Sequence, residues 1–398
     1  YEIGVRLVGS EMCIRDSAIL STLVACQDEL YNNDLKEHKA NQAVYIDGGT
    51  SLTVNLAENT EYIVKNFSVK LVSPSTGGES ATLEVGNEAQ LKAYNEANAT
   101  SYVLLPSSMY EVNKNVTFKV SDAVGNVSLK LKNVQFPLGK SFALPIKLRG
   151  NGIKTINGQD TFIILIEQEL ITKVLRISGS GSEKTDVFPN THTVDQWTLE
   201  VMVNRSAYNQ NNRSIVGTKA VGEPLNEIYT RFGDVTIRPN QLQIKTGASQ
   251  IDIPADKLSA KPGEWYMLAF WYDGKTTKVF VNGVEVASRE IRTGAYSVTG
   301  LWIGGSNELI REVRFWKKAV NPTEIKKNMW KTIDPKSEGL LFYYPLNGKK
   351  YDRATGTITD DETKLWDWSA TEAHMAKPST ATFDNNSGNG YVFPPREN

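Results

Sequence analysis

The plainest hydrophobic pattern in this chain runs from Glu264 to Glu285, EWYMLAFWYDGKTTKVFVNGVE. Tyr266, Leu268 and Phe270 share one face, and Met267, Ala269 and Trp271 share the other. Apolar groups on both faces mark a strand covered on two sides, as in a stacked-sheet core. Asp273-Gly274 supplies a turn, because this pair tolerates positive φ. Val279 and Val281 form the return strand, which Asn282-Gly283 closes.

Short alternating strands fill the segment from Ala43 to about Leu170. Leu52, Val54 and Leu56 share a face, as do Phe67, Val69 and Leu71, and then Val116, Phe118 and Val120. Val127, Leu129 and Leu131 follow, then Phe142, Leu144, Ile146 and Leu148, and Thr161–Ile166 is a continuous apolar strand. Six or more strands at this spacing predict an immunoglobulin-like sandwich. One helical insert, Ala89 to Ala97, breaks the pattern with an apolar spacing of three to four.

Beyond this segment the texture changes. All eight Trp residues lie at or after Trp197, and Ser178-Gly-Ser-Gly-Ser182 reads as the flexible piece between two domains. Trp197, Leu199, Val201 and Val203 alternate with Thr198, Glu200, Met202 and Asn204. Leu301-Trp-Ile-Gly-Gly305 and Ile310–Trp316 read as further strands. Asn321-Pro-Thr-Glu-Ile325 reads as a short helix, capped by Asn321 with Pro322 in its first turn. Glu338–Gly348 is a strand and turn, and Leu365-Trp-Asp-Trp-Ser369 a closing strand, so the second domain is one two-sheet jelly roll.

Length and charge narrow the classes. A chain of 398 residues exceeds what one core usually holds. The formal net charge is -1 with no basic block, which argues against nucleic acid as a partner. No apolar run after the N-terminus is long enough to span a bilayer.

The N-terminus stands apart. Residues 1–16 resemble translated sequencing-adapter read-through and are excluded from fold reasoning. Residues 17–25 read as the tail of a lipoprotein signal peptide, with Leu23-Val-Ala-Cys26 resembling a lipobox. Cys26 would then carry a diacylglycerol, and residues 26–42 a polar tether. The other cysteine, Cys13, lies in the excluded segment, so the mature chain has neither a disulfide framework nor a cysteine metal site.

Two resemblances follow from ordered motifs. LKAYNEANATSYVLLPSSMYEV, then VTFKV and FALPIKL, resemble the N-terminal sandwich domain of Bacteroidota surface lipoproteins, which precedes glycan-binding or glycoside-hydrolase modules. That resemblance implies a spacer with no catalytic residues, in which Tyr94 and Tyr102 pack. WTLE at Trp197–Glu200, VNG at Val281–Gly283, IGG at Ile303–Gly305 and EVRFWKKAVNPTEI at Glu312–Ile325 resemble a laminin-G-like module of the concanavalin A-like superfamily. The expected fold is therefore all-β: an immunoglobulin-like sandwich over residues 43–172, then a concanavalin A-like jelly roll over 173–398. Some relatives bind calcium, but Arg311 stands where many carry Asp, so no motif supports calcium and no cofactor is expected. Acidic residues after Cys26 resemble a surface-export signal, implying a lipid-anchored outer-membrane protein facing outward.

The residues offer little catalytic chemistry. Glycosidases of this superfamily place alternate carboxylates in one cleft. Here Asp360-Asp361-Glu362 are adjacent and sit among turn residues. His38, His192 and His374 lack metal-ligand spacing. Binding is the better expectation, since sugar C–H faces stack on exposed aromatics while amides and carboxylates take the hydroxyls. Trp330, Trp366, Trp368, Tyr229 and Tyr296 are the candidate aromatics, with Asn307 or Asp367 as polar partners. Trp197, Trp265, Trp271, Trp302 and Trp316 lie in strands and are assigned to the core. The expected function is non-catalytic polysaccharide binding at the cell surface, beside outer-membrane transporters or glycoside hydrolases of an uptake system. The alternative is a surface adhesin or structural protein with a protein partner, and a glycoside hydrolase ranks third.

Overall fold

The computed structural model describes residues 41–178, 183–184, 191–219, 226–305 and 307–396. The proposed lipid-bearing Cys26, His38 and most of the Gly-Ser linker lie outside the described residues.

The first domain is a β-sandwich. Phe142–Asn151 runs antiparallel between Thr161–Gln168 and Ser80–Val85, and Ser51–Leu56 extends the sheet parallel to Thr161–Gln168. Small sheets built on Ala43–Asp47 with Ser68–Leu71, and on Leu129–Leu131, close over the same core. The continuous apolar strand is explained by two covers. Phe162, Ile164 and Ile166 face that core, while Ile163 and Leu165 pack with Leu91, Tyr94 and Tyr102. Leu91 and Tyr94 come from the helical insert, which spans Glu88–Asn98. Asn87 starts the helix by accepting from the N–H groups of Ala89 and Gln90, and the Gln90 side chain accepts from the Asn87 N–H. One expected strand is cut short. It stops at Thr117, so Val120 is 68% exposed and the chain turns at Ser121.

The second domain stacks two sheets. The longer one carries, in order, Val284–Arg289, Thr277–Val281, Trp265–Tyr272, Trp197–Arg205, Glu308–Trp316, Val174–Ile177 and Ala381–Asp384. The other carries Glu183–Lys184, Leu301–Ile303, Arg213–Thr218, Tyr229–Phe232, Leu242–Thr246 and Ser249–Asp252. Between them Trp197 packs its ring 5.7 Å from Tyr272 and 5.5 Å from Tyr296. The hairpin of Trp265–Tyr272 and Thr277–Val281 is two-faced as its pattern predicts. Tyr266, Leu268 and Phe270 enter this core, while Met267 and Ala269 enter a second apolar layer on the sheet's far side. Residues 273–276 form the first turn, where the Asp273 carboxylate accepts from the N–H groups of Lys275 and Thr276. Asn282 and Gly283 form the second at φ 49° and 73°, the mirror-image turn that matches strand twist.

That second layer decides which surface remains open. The helix Pro322–Asn328, the strand Tyr391–Phe393 and Leu138 of the first domain all pack onto the far side of the long sheet. A buried ionic network stitches the layer together. Arg314 sits 2.8 Å from both Glu200 and Glu312, and also donates to the carbonyls of Asn328 and Lys331. Arg311 pairs with Glu312 at 2.8 Å and lies 4.1 Å from the Phe393 ring centre. The residue that departs from the relatives' Asp thus supplies a cation to this layer.

The domains are docked, not strung. Leu170–Thr172 pairs with Tyr391–Phe393, and Lys331 meets Glu167 of the first domain at 2.6 Å. At Gly139 a methyl group would lie 2.3 Å from the Asp334 nitrogen, so only glycine permits this backbone approach.

Candidate binding face and interdomain groove

The outer face of the six-stranded sheet carries two cross-strand rows. Pairing aligns Trp302, Gly217, Tyr229, Lys245 and Gln250 in one row, and Ser214, Arg231, Gln243 and Asp252 in the next. Strand alternation sends Leu301 and Ile303, Ile244 and Ile251 into the core, so these rows point outward.

Trp302 lies across Gly217. A methyl group on Gly217 would sit 2.3 Å from the indole and 2.2 Å from the Ile228 carbonyl oxygen, so the absent side chain is what lets the ring approach the strand. The indole N–H donates to the Thr218 carbonyl at 3.0 Å, which fixes the ring's direction. Tyr229 stands beside it with ring centres 5.2 Å apart, and the Arg231 guanidinium lies 5.5 Å from the tyrosine ring. Both aromatics are half-buried.

The second row is a polar mesh. Arg231 donates to Gln243 and Asn212 at 2.7 Å and to Asp234 at 2.6 Å. Gln243 donates onward to Asp252 at 2.6 Å and to Asp234 at 3.2 Å. Burial pushes the Asp234 carboxyl up, but the Val235 N–H, Gln243 and Arg231 outweigh it and hold the group below the usual range. Gln243 is fully buried at the base of this mesh, so the half-buried Arg231, Asp234 and Asp252 are the groups beside the aromatic plate that can share hydroxyl hydrogen bonds with a stacked ring.

The sequence-predicted residues scatter. Tyr229 is on this face. Trp302, assigned to the core from its strand position, is on it too, and that assignment is corrected. Tyr296 is fully buried between Trp197 and Tyr272, with Arg292 3.7 Å from its ring, and has no free face. Trp368 is 1% exposed and packs on Tyr343 and Tyr351. Asp367 is equally buried and accepts from the N–H groups of Tyr343, Ser369 and Ala373, each at 2.9 Å. It staples a turn, and burial raises its pKa above the ordinary value. The strand expected through Ser369 ends at Leu365, so Trp366 and Trp368 do not share a strand face. Trp366 packs on His374 at 4.7 Å, with Lys350 and Lys364 over its ring. Trp265 and Trp271, also assigned to the core, are only partly buried against the second layer. Asn307 is exposed at φ 59°, a left-handed turn position before Glu308–Trp316.

Trp330 lies elsewhere, stacked on Phe393 with ring centres 6.4 Å apart. It borders a groove of about 230 Å³ between the two domains.

These features define an all-β, two-domain protein whose second domain is a concanavalin A-like jelly roll. Residues 178–326 match the concanavalin A-like lectin/glucanases superfamily, in its laminin-G form, and residues 38–155 match a family of N-terminal domains. A Bacteroides ovatus protein proposed to bind carbohydrate has a similar structure, with a TM-score of 0.57 and 21% identity over 86% of this chain and 97% of its own. A pentraxin from Limulus polyphemus overlaps 40% of this chain and 82% of its own, at 16% identity and a TM-score of 0.29. Domain 4 of a Geobacillus stearothermophilus arabinanase, solved with arabinotriose, overlaps 39% and 86% at 16% identity and a TM-score of 0.28. No curated protein matches the chain.

Proposed function

We propose that this protein binds carbohydrate without cleaving it, on the outer face of the six-stranded sheet. The observation that carries the reading is the Trp302–Tyr229 plate set beside the Arg231–Gln243–Asp252 mesh. A flat apolar surface next to fixed donors and acceptors is what a sugar ring requires. The similarity of the second domain to lectins and glucanases, and the resemblance to the Bacteroides ovatus protein, agree with a glycan partner.

The same mesh argues against hydrolysis. A glycosidase needs one carboxyl raised enough to donate a proton at neutral pH. Asp234 is shifted the other way. The Asp360-Asp361-Glu362 run is no substitute, because Asp360 is exposed at the end of a surface hairpin and Glu362, just beyond it, is exposed and paired with Lys173.

The anchoring proposal is separate. Cys26 would tether the protein to the outer membrane facing outward, and the docked first domain would hold the binding face clear of the bilayer. A place in glycan uptake, beside transporters or hydrolases, follows as part of that proposal. Metabolic labelling with palmitate tests it: label should enter the wild type and be absent from Cys26→Ala. The binding reading is tested by calorimetry against soluble plant and host polysaccharides. A binder should lose at least tenfold in affinity on Trp302→Ala, and a wild type that binds none of them contradicts the reading.

A further inference from the structure

The groove between the domains has the makings of a ligand site, and both domains build it. Met329, Trp330 and Pro394 give it an apolar wall from the second domain, while Asn55, Thr100 and Gln168 of the first line the opposite side. A contiguous hollow of about 270 Å³ shares Thr100, Ser101, Lys327 and Asn328 with it, so the two form one channel along the junction. Each hollow is below the roughly 300–1,000 Å³ of pockets for drug-sized ligands, a scale that suits a single small ring.

The charges in the channel are unbalanced. Among the described residues, Lys326, Lys327 and Lys331 all line the inner hollow, against one carboxylate, Glu167. That carboxylate is already committed: it accepts from the Tyr102 hydroxyl at 2.6 Å, from Ser141, and from Lys331 at 2.6 Å. Among the described residues, the Lys327 ammonium donates to the carbonyls of Asn98 and Ala99, where the first-domain helix ends. Carbonyl oxygens solvate an ammonium group without neutralising it. Burial and the neighbouring Lys331 push the Lys327 pKa down, and the Glu167 and Glu324 carboxylates only partly offset them. Glu324 borders the outer hollow, so the cationic excess is greatest at the Trp330 end.

An aromatic wall together with surplus ammonium groups selects a ring that carries an anion. We propose that this groove is a second saccharide site, taking an acidic sugar unit with a carboxylate or sulfate, stacked on Trp330 and paired with Lys326 and Lys327. The first domain is then part of a binding site as well as a spacer. This extends the glycan-binding reading to a different place on the molecule and rests on it only for the class of ligand.

The test is calorimetric titration of the whole protein with oligogalacturonate and with chondroitin sulfate oligosaccharides. Neutral xylo- and gluco-oligosaccharides, and sodium sulfate alone, serve as comparison arms. The acidic sugars should bind, weaken as salt rises, and lose at least tenfold on Trp330→Ala and on Lys326→Glu. Lys326 is exposed, so its substitution leaves folding intact if Trp330→Ala does not. Trp302→Ala should leave this binding unchanged. The proposal is overturned if neither acidic sugar binds, if both groove variants bind like the wild type, or if sulfate alone binds as tightly, which would mark an anion site only. Loss on Trp302→Ala with no loss in the groove variants would uphold the sheet face and reject the groove. Loss on the groove variants with none on Trp302→Ala would uphold the groove and leave the sheet face to its own test with neutral polysaccharides.

Discussion

Replacing Gly217 with alanine adds one methyl group beneath the Trp302 plate. Gly217 does not need positive φ, so backbone strain plays no part and the effect is steric. The new carbon would meet the indole at 2.3 Å and the Ile228 oxygen at 2.2 Å, well inside the 3.0 Å that real side chains respect. The ring must lift by roughly an ångström or the strand must shift, and overpacking of this kind costs about 1–3 kcal/mol. Lifting the ring would also lengthen the 3.0 Å bond from its N–H to Thr218. Urea unfolding should show a lower midpoint with an unchanged slope, since the surface exposed on unfolding is the same. In a Trp302→Ala background the cost should shrink without vanishing, because the clash with the Ile228 carbonyl remains. Glycan affinity should fall with the displaced plate, by roughly tenfold for each 1.4 kcal/mol of lost contact. A Gly217→Ala protein with wild-type stability and wild-type affinity would refute the packing described for Trp302.

Other consequences are equally direct. Arg314→Met leaves Glu200 and Glu312 buried without their shared cation and should cost about 3–5 kcal/mol in chemical denaturation; a loss under about 1 kcal/mol would mean the network is not structural. Asp367→Ala strands three backbone N–H groups and should destabilise by about 2–4 kcal/mol while leaving the glycan affinity of the folded protein intact; loss of affinity at full stability would return Asp367 to the binding site. Burial alone would raise the Glu79 carboxyl, but the hydroxyls of Ser75 and Thr76 and nearby N–H groups bring it down to about 2. Its contribution is therefore present above the ordinary value of 4.5 and lost as pH falls toward 2, at most about 3 kcal/mol. Glu79→Gln should flatten the stability profile across that acid range and leave its shape above pH 5 unchanged.

The fold was legible where alternation was strict. The two-faced pattern of Trp265–Tyr272 predicted a strand covered on both sides, and the layers that cover it are the jelly-roll core and the packing around Phe393. The helix over Glu88–Asn98 announced itself by spacing and by Asn87. The candidate site was less legible because a Trp in a strand says nothing about which face it takes. Alternation within Leu301-Trp302-Ile303 held the answer, since the two aliphatics share a face and leave Trp302 the other. What no local pattern showed is that Gly217, distant in sequence, makes room for that ring. The late residues misled for a related reason: Asp367 looks like a ligand contact until its neighbours' N–H groups are seen to occupy it. The groove depends on how two domains meet, which neither segment encodes alone.

The central claim is that the six-stranded sheet presents a sugar-binding plate. The decisive measurement is the affinity of wild type, Trp302→Ala and Tyr229→Ala for a neutral polysaccharide that the wild type binds, with folding checked by circular dichroism. The account predicts folded variants whose affinity falls at least tenfold for Trp302→Ala and less for Tyr229→Ala, whose ring Arg231 partly covers. Folded variants that bind as the wild type does would contradict it.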